Sequence, residues 1–429
     1  MKKSWRKKEK KLKKIPKTLV FVCKTTQKNT EPLRFAIDKR GEREYNVSME
    51  QRIYFDHAAT TPLDREVFEK MSPYFTEFFG NADSPHAIGR KAVAAVDDAR
   101  ALLAGLLNAK PNELYFTSGG TESDNWAILG GAYAQKKVGK TRIVISSIEH
   151  HAALSAAQRL EKEGFEIVQL PVNGGGRVEM NALNNAINNE TALVCLMAAN
   201  NETGVLQPVK EGAQIAHEKG ALFFTDAVQA APYTPIDVKE WGVDMLSLSA
   251  HKFYGPKGCG ALYIRNGVKI EKLVGGGEQE RGLRGGTLNV PNIVGMAAAY
   301  EKTAKEFTQT QTKIQRLREL FLKEISILDG VEINGDKTTL PAILNVRFEG
   351  VDNVSFLYNM DMQGVCLAAG SACASASIKP SHVLTAMGLS EKKAKESVRF
   401  SFGKHNTKEE ILLGAKRTVE TVLKLRAQN

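Results

Sequence analysis

The chain has 429 residues, 59 Lys and Arg against 48 Asp and Glu, and a formal charge of +11. That length is about two to three times a typical domain and can bury a large core without staples. A hydrophobic share of 42% and a charged share of 25% exclude a disordered chain, a collagen-like chain and a disulfide mini-scaffold.

The charge is uneven. Residues 1–48 hold 12 Lys and 4 Arg against five acids (Glu9, Glu31, Asp38, Glu42, Glu44), while residues 49–429 hold 43 of each sign. The basic excess is therefore a property of the tail, and no direct nucleic-acid partner is expected of the body. A basic RNA-binding arm is the alternative reading of the tail. Residues 1–17 are Lys-rich and expected to be disordered. The stretch Leu19–Val22 is too short for a signal-peptide core, and Lys outweighs Arg, unlike a transit peptide. Met49 is the one Met after Met1 before the folded pattern begins, so 1–48 reads as a dispensable extension from an upstream start. No apolar run approaches the ~18 residues that span a bilayer, so no membrane partner is expected. The five cysteines (Cys23, Cys195, Cys259, Cys366, Cys373) are odd in number, sparse and without metal spacing. A reducing, cytoplasmic setting fits them.

In chain order, Arg52–Asp56 reads as a short strand or extended entry. Helices are expected over Asp64–Phe79 and Ile88–Leu107, the second with apolar positions at Val93, Val96, Leu103 and Leu107. Strands are expected at Glu113–Thr117, Arg142–Ser146, Glu166–Leu170, Leu193–Met197, Leu222–Thr225, Met245–Ser249 and Gly260–Ile264. Most are separated by helix-length segments, which predicts an α/β fold with a seven-stranded, mostly parallel sheet. A charged helix (Thr312–Leu328), strands at Val331–Asn334 and Ala342–Phe348, and further helices read as a smaller α+β domain. The expected division is 1–48 extension, 49–63 a segment contributing to the small domain, 64–310 large domain, 311–429 small domain.

Ligands of open α/β sheets collect at the carboxyl ends of strands. Thr117-Ser118-Gly119-Gly120-Thr121 follows the first sheet strand. Its glycines let backbone approach an anion at a helix start, with the Thr121 hydroxyl as a further donor; alone it is equally an ordinary turn. Glu149-His150-His151 follows the second strand. A His there can stack on an aromatic cofactor or move protons, or simply be solvated. Asn200-Asn201-Glu202 follows the fourth strand, and Asp226 closes the fifth, where a carboxylate needs a cationic partner or a helix to cap. Ser249-Ala250-His251-Lys252 follows the sixth. A lysine held there in a dry pocket can form a Schiff base. Phosphate loop, His, Asn, Asp and Lys on successive strand ends make the set that a pyridoxal phosphate site requires.

The sequence resembles the cysteine desulfurases of the NifS/IscS type, within the class V aminotransferases of pyridoxal phosphate fold type I. The resemblance rests on FDHAATTPLD (55–64), YFTSGGTESDN (115–125), IEHHAAL (148–154), ANNETG (199–204), TDAVQ (225–229), SLSAHKFYGPKG (247–258), GGGEQERGLRGGT (275–287), AAGSACASAS (368–377) and VRFSFGKHNT (398–407). These stand in the family's order over about residues 51–425. The resemblance implies pyridoxal 5′-phosphate bound as a Schiff base by Lys252, which also serves as the proton-transfer base. Asp226 would pair with the pyridine nitrogen, Gln229 with the ring hydroxyl, and His150 would stack on the ring. Asn201 would lie beside ring and substrate. Gly120, Thr121, Ser249 and His251 would hold the phosphate, with Thr287 reaching the neighbouring subunit's phosphate in a homodimer. Arg399 would clamp the carboxylate of the L-cysteine substrate.

Cys373 would take the substrate sulfur as a persulfide, with His150 a candidate acceptor for its proton. L-alanine would leave, and the sulfur would pass to an acceptor protein, an iron–sulfur scaffold or a tRNA-thiolation enzyme. Cys373 has only small neighbours. Cys195 and Cys366 read as inert core, Cys259 as a loop residue with some chance of exposure, and Cys23 as incidental. Ala368-Ala369, Ala250 and Gly285 depart from common family residues, each small for small. The stretch from Cys373 to Pro380-Ser381-His382 is of the longer type found in the NifS/IscS branch. Competing readings are a selenocysteine lyase or other class V enzyme, and an inactive sulfur-relay scaffold subunit.

Overall fold

The computed structural model describes residues 52–370 and 380–428. The basic extension with Cys23, and Cys373, lie outside the described residues. In chain order the strands are β1 (Ile53–Tyr54), β2 (Leu114–Thr117), β3 (Arg142–Ser146), β4 (Glu166–Leu170), β5 (Thr191–Cys195), β6 (Leu222–Asp226), β7 (Met245–Ser249), β8 (Gly260–Ile264), β9 (Val331–Asn334), β10 (Ile343–Phe348), β11 (Val365–Cys366) and β12 (Ser397–Ser401).

Seven of them form one sheet in the order β2-β8-β7-β6-β5-β3-β4. β8 is antiparallel to both its neighbours, and the other pairings are parallel. This is the mostly parallel α/β sheet read from the sequence. Successive side chains enter opposite layers. Val144, Val194, Leu246 and Leu248 join one apolar cluster, while Ile143, Ile145, Leu193, Phe224 and Met245 join another. Helices cover both faces, as a parallel sheet requires.

Three elements differ from expectation. The helix predicted over 64–79 is broken into Arg65–Met71 and Pro73–Thr76. Pro73 has no N–H to continue the first helix, so Ser72 ends one and Pro73 opens the next. The strand predicted at 193–197 is β5, Thr191–Cys195, because the Met197 N–H turns away to the Glu149 carboxylate at 2.7 Å. The helix predicted from 312 begins at Val290 and runs to Ile325, capped by the Asn289 side chain. Its first third, including Met296–Tyr300, is buried, and only its later turns carry the charged pattern.

A second, antiparallel sheet has the order β12-β10-β9. β1 pairs with β11 in parallel, and bridges join Asp56 to Ser401 and Ala368 to Arg399. The chain before residue 64 is thus sewn to C-terminal strands. Among the described residues no helix is long and apolar enough to cross a membrane.

A buried ion pair fixes the Gly-rich 275–287 loop. Arg100 donates to both Glu280 oxygens at 2.8 and 2.6 Å, and Phe116 N–H donates to the same carboxylate at 2.9 Å. Glu280 and Arg281 hold left-handed backbone at φ 47° and 58°, a conformation costly without such ties. Replacing Arg100 with Leu strands the Glu280 carboxylate. The expected loss is about 3–5 kcal/mol of stability, read as a lower unfolding midpoint in denaturant.

Candidate active site

β2, β3, β5, β6 and β7 point the same way, so their carboxyl ends line one edge of the sheet. At the end of β2, Gly119 has φ 154° and ψ −179°, a region essentially restricted to glycine. Gly260 of β8 packs against it so closely that an added Cβ would stand 2.6 Å from Gly119 Cα. The helix beginning at Gly120 turns its first N–H groups and the exposed Thr121 toward the same opening. Ser249 is buried beside this turn, its Cβ 3.6 Å from a Cβ placed on Gly120.

His150 ends the loop after β3 and caps the helix His151–Lys162. Its Nδ1 accepts from Ala152 N–H at 3.2 Å, which leaves the neutral ring's proton on Nε2. Burial holds His150 below the usual histidine range. Asp226 ends β6 and is buried. Its Oδ1 accepts from Val228 N–H at 2.8 Å. Burial raises its pKa, while His150, the Val228 N–H and Lys252 all favour the charged form. Asp226, His150 and Lys252 are therefore near enough for their charges to act on one another.

Lys252 follows β7. Its ammonium donates to the carbonyl oxygens of Ala58 at 2.6 Å and Ala59 at 2.9 Å. Gln229 Nε2 donates to the same Ala58 oxygen at 2.8 Å. His251 Nδ1 meets Thr60 Oγ1 at 3.1 Å, and burial lowers its pKa to about 4. Arg399, in the middle of β12, is 1% exposed. It donates to Asn201 O at 2.9 Å and Asp56 Oδ1 at 2.7 Å, yet its Nε is buried with no partner.

The structure thus brings together Gly120, Thr121, His150, Asn201, Asp226, Gln229, Ser249, His251, Lys252 and Arg399. Thr287 is exposed, in a loop tied back to the phosphate-like turn by the Arg284–Glu122 pair at 2.8 Å. Cys373 lies outside the described residues. Two cysteine readings need correction. Cys259 is not exposed: it is buried against Met296 sulfur at 3.7 Å, and burial pushes its thiol up to about 12. Cys366 is not inert core: it is half-buried and lines a cavity of about 510 Å³ with Asp56, Glu202, Gly370 and Ser381. Sequence reasoning also passed over Asp56, Asp124, Glu149 and Glu202. Glu149 and Glu202 stand beside His150 and Asn201, and an acid in the loop that follows a buried strand is the signal that finds them.

The family model for class-V aminotransferases matches residues 53–413. The chain belongs to the class-V aminotransferase family. Cysteine desulfurase IscS of Clostridium botulinum is 47% identical over 367 residues, covering 85% of this chain and 92% of that protein. A solved NifS-like protein superposes with a TM-score of 0.81 at 37% identity, over 86% of this chain and 98% of that one. A structure of SspA in complex with cysteine gives a TM-score of 0.74 at 37% identity, over 82% and 99%. Within the family, the chain falls among the cysteine desulfurases of the NifS/IscS type. The cofactor of such class-V enzymes is pyridoxal 5′-phosphate, and the residues fit it. Two glycines make a cradle that side chains would fill, Asp226 offers a buried carboxylate for a cationic nitrogen, and Lys252 lies near that carboxylate.

Glu149, one residue before His150, is wholly buried. Its Oε1 accepts from Met197 N–H, its Oε2 is buried with no partner, and burial pushes its pKa from 4.5 up to about 8. The folded protein therefore holds this proton longer than the unfolded chain. The stability it permits is complete below about 4.5 and lost as pH rises through about 8. Glu149→Gln keeps the Met197 bond and stays neutral. Relative to the parent, it is expected to match at pH 5 and to gain roughly 2–4 kcal/mol by pH 8.5, read from unfolding midpoints across that range.

Proposed function

We propose that the protein is a cysteine desulfurase that converts L-cysteine to L-alanine and carries the sulfur as a persulfide on Cys373. One observation carries this reading. Arg399 N–H donates to Ala368 O at 2.6 Å, so a buried arginine with a vacant Nε and the chain leading to Cys373 meet at one bridge. A carboxylate receptor beside a thiol-bearing segment suits an amino acid whose side-chain sulfur is to be taken.

In this reading Arg399 binds the cysteine carboxylate through Nε and a remaining Nη hydrogen. Bound pyridoxal phosphate supplies the electron sink. Gly120, Thr121, Ser249 and His251 hold its phosphate, Asp226 its ring nitrogen and Gln229 its ring hydroxyl. His150 offers its face and an Nε2 proton. To accept a proton it must use Nδ1 and release the Ala152 cap. Lys252 Nζ takes the Cα proton and later returns one. The Cys373 thiolate attacks the substrate sulfur. A new S–S bond forms, the C–S bond breaks, and its electron pair stays with the substrate carbon, which is protonated to alanine. A free thiol is only a few per cent ionised at neutral pH, so its proton must be removed within the site.

The large body 64–310 then serves the cofactor, and 311–429 with 49–63 forms the smaller domain bearing Cys373. A homodimer is supported by the exposed Thr287 and by exposed Phe68, Phe75, Phe79 and Ile88. The described thiols are free, which suits a reducing cytoplasm. The sulfur acceptor is a protein, either an iron–sulfur scaffold or a tRNA-thiolation enzyme.

The test incubates the holoenzyme with L-cysteine and measures alanine, sulfane sulfur and the mass of the Cys373 peptide. One extra sulfur on that peptide, with alanine in equal amount, is expected. Lys252→Ala abolishes both products. A Cys373→Ala protein that still releases sulfide at full rate overturns the persulfide route. Arg399→Lys loses the planar fork and is expected to raise KM for cysteine by about tenfold or more, with a smaller change in kcat.

A further inference from the structure

The turn after β5 is built around Asn200, whose Oδ1 accepts from Glu202 N–H at 2.9 Å and Thr203 N–H at 3.0 Å. It sets the Glu202 side chain, 1% exposed, against two places that are distant in sequence. Ser381 Oγ donates to Glu202 Oε2 at 2.5 Å, a short, charge-assisted bond. Gly370 stands so near that an added Cβ would lie 3.0 Å from the same oxygen. Gly370 and Ser381 lie on either side of Cys373 in the sequence, Ser381 one residue beyond Pro380.

Neighbouring bonds run the same way. Ser381 caps the helix His382–Ala386 through Leu384 N–H at 3.2 Å. His382 Nε2 meets Glu149 O at 3.0 Å, one residue before His150. On the other side of Cys373, Ala368 is bridged to Arg399. The chain on both sides of Cys373 is thus fastened to residues that flank the candidate site, and Glu202 is the one side chain among these that touches both.

We propose that Glu202 is a positioning residue for sulfur transfer: its carboxylate accepts from Ser381 and stands against Gly370, and so references the chain on both sides of Cys373 to one turn. It takes no part in removing the Cα proton. This rests on the reading of Cys373 as the sulfur acceptor. A glycine at 370 suits this contact, since a Cβ there would press on the carboxylate at 3.0 Å and make it give by a few tenths of an ångström. The preceding Asn201 backbone oxygen holds Arg399, so one turn references both the carboxylate receptor and the chain on either side of Cys373.

The test separates three readouts in the holoenzyme and apoprotein. Single-turnover persulfide formation is followed by the mass of the Cys373 peptide. Cysteine capture is followed by the change in cofactor absorbance. Hydrogen exchange of residues 381–386 is followed without cofactor. The pair Ser381→Asn and Ser381→Asp is decisive, because both side chains cap a helix well but only Asn can donate to Glu202. Ser381→Asp and Glu202→Ala are expected to slow persulfide formation about tenfold or more, with the absorbance change near the parent rate and faster exchange at 381–386. Ser381→Asn and Glu202→Gln are expected to retain most of the rate. The double variant Glu202→Ala/Ser381→Ala should be no slower than the slower single, as for one shared interaction. A Ser381→Asp protein that forms persulfide at the parent rate overturns the proposal, as does equal slowing of capture and persulfide formation. A parent enzyme that puts no sulfur on Cys373 overturns the desulfurase reading instead.

Discussion

The ammonium of Lys252 rests on two backbone oxygens, those of Ala58 and Ala59, and much of the site is referenced to that strip of chain. Gln229 reaches the same Ala58 oxygen, Thr60 meets His251, and Thr61 N–H donates to His251 O at 2.9 Å. A few residues earlier the same strip supplies Asp56 to Arg399 and pairs β1 with β11. Phe55 is wholly buried between these attachments. The carboxyl edge of the large sheet and the middle of β12 are therefore located by one short run of backbone. Lys252 and Arg399, to which the proposed mechanism gives the Cα proton and the carboxylate, therefore cannot drift independently. For a substrate with only one carbon between its carboxylate and its Cβ, that shared reference is what fixes the reacting geometry.

The second constraint is charge in a dry place. Asp124, Glu149 and Asp226 are all buried near one another, and burial raises the pKa of each. Low dielectric makes several negative charges together expensive. Asp226 is the one with a lysine beside it, and the Val228 N–H and Lys252 offset part of the cost. Asp124 has a hydroxyl donor in Ser247 at 2.6 Å, but also the repulsion of Asp226. Of the three carboxyls, Asp226 at the end of β6 is therefore the best placed to carry negative charge, and in the proposed mechanism it would face the ring nitrogen. His150 and His251 are held neutral by burial, so they add ring faces and N–H donors without competing cations.

How much of this was legible in the sequence depends on how local each cause is. Asp226, Lys252 and His150 could be found because each follows an apolar run, and a charged residue at the end of a buried strand must answer to something. The mostly parallel pairing followed from helix-length spacers, whereas the strand order did not, because it depends on which crossovers pack where. The strip 56–61 as a lysine seat was not legible, because its contacts are made by backbone oxygens, which leave no trace in residue type. The Asp56–Arg399 pair spans 343 positions, and neither residue announces the other. β5 ended two residues early because a single side chain, Glu149, claimed the Met197 N–H. The Val290–Ile325 helix hid its first turns in an alanine-rich stretch that reads as core of any kind until its packing is known.

The distribution of thiols has the same logic. A cofactor carbonyl and a persulfide both react with stray thiolates, so a desulfurase gains from keeping its other cysteines protonated. Cys195 lies within β5, where burial and the nearby Glu149 and Asp124 carboxyls raise its pKa well above the ordinary value. Cys259 is raised likewise, beside Met296. Both are chemically silent because of where strands put them, not because of their own neighbours in sequence: Cys259 has glycine on each side and still is 2% exposed. Cys366 is the exception, half-buried in the cavity shared by Gly370 and Ser381, on the strand that pairs with β1. Its backbone is held in a ladder, which limits where its sulfur can go. A thiol that must first meet the substrate and then an acceptor protein needs a freer attachment than a paired strand can give. That requirement argues against Cys366 as the sulfur acceptor.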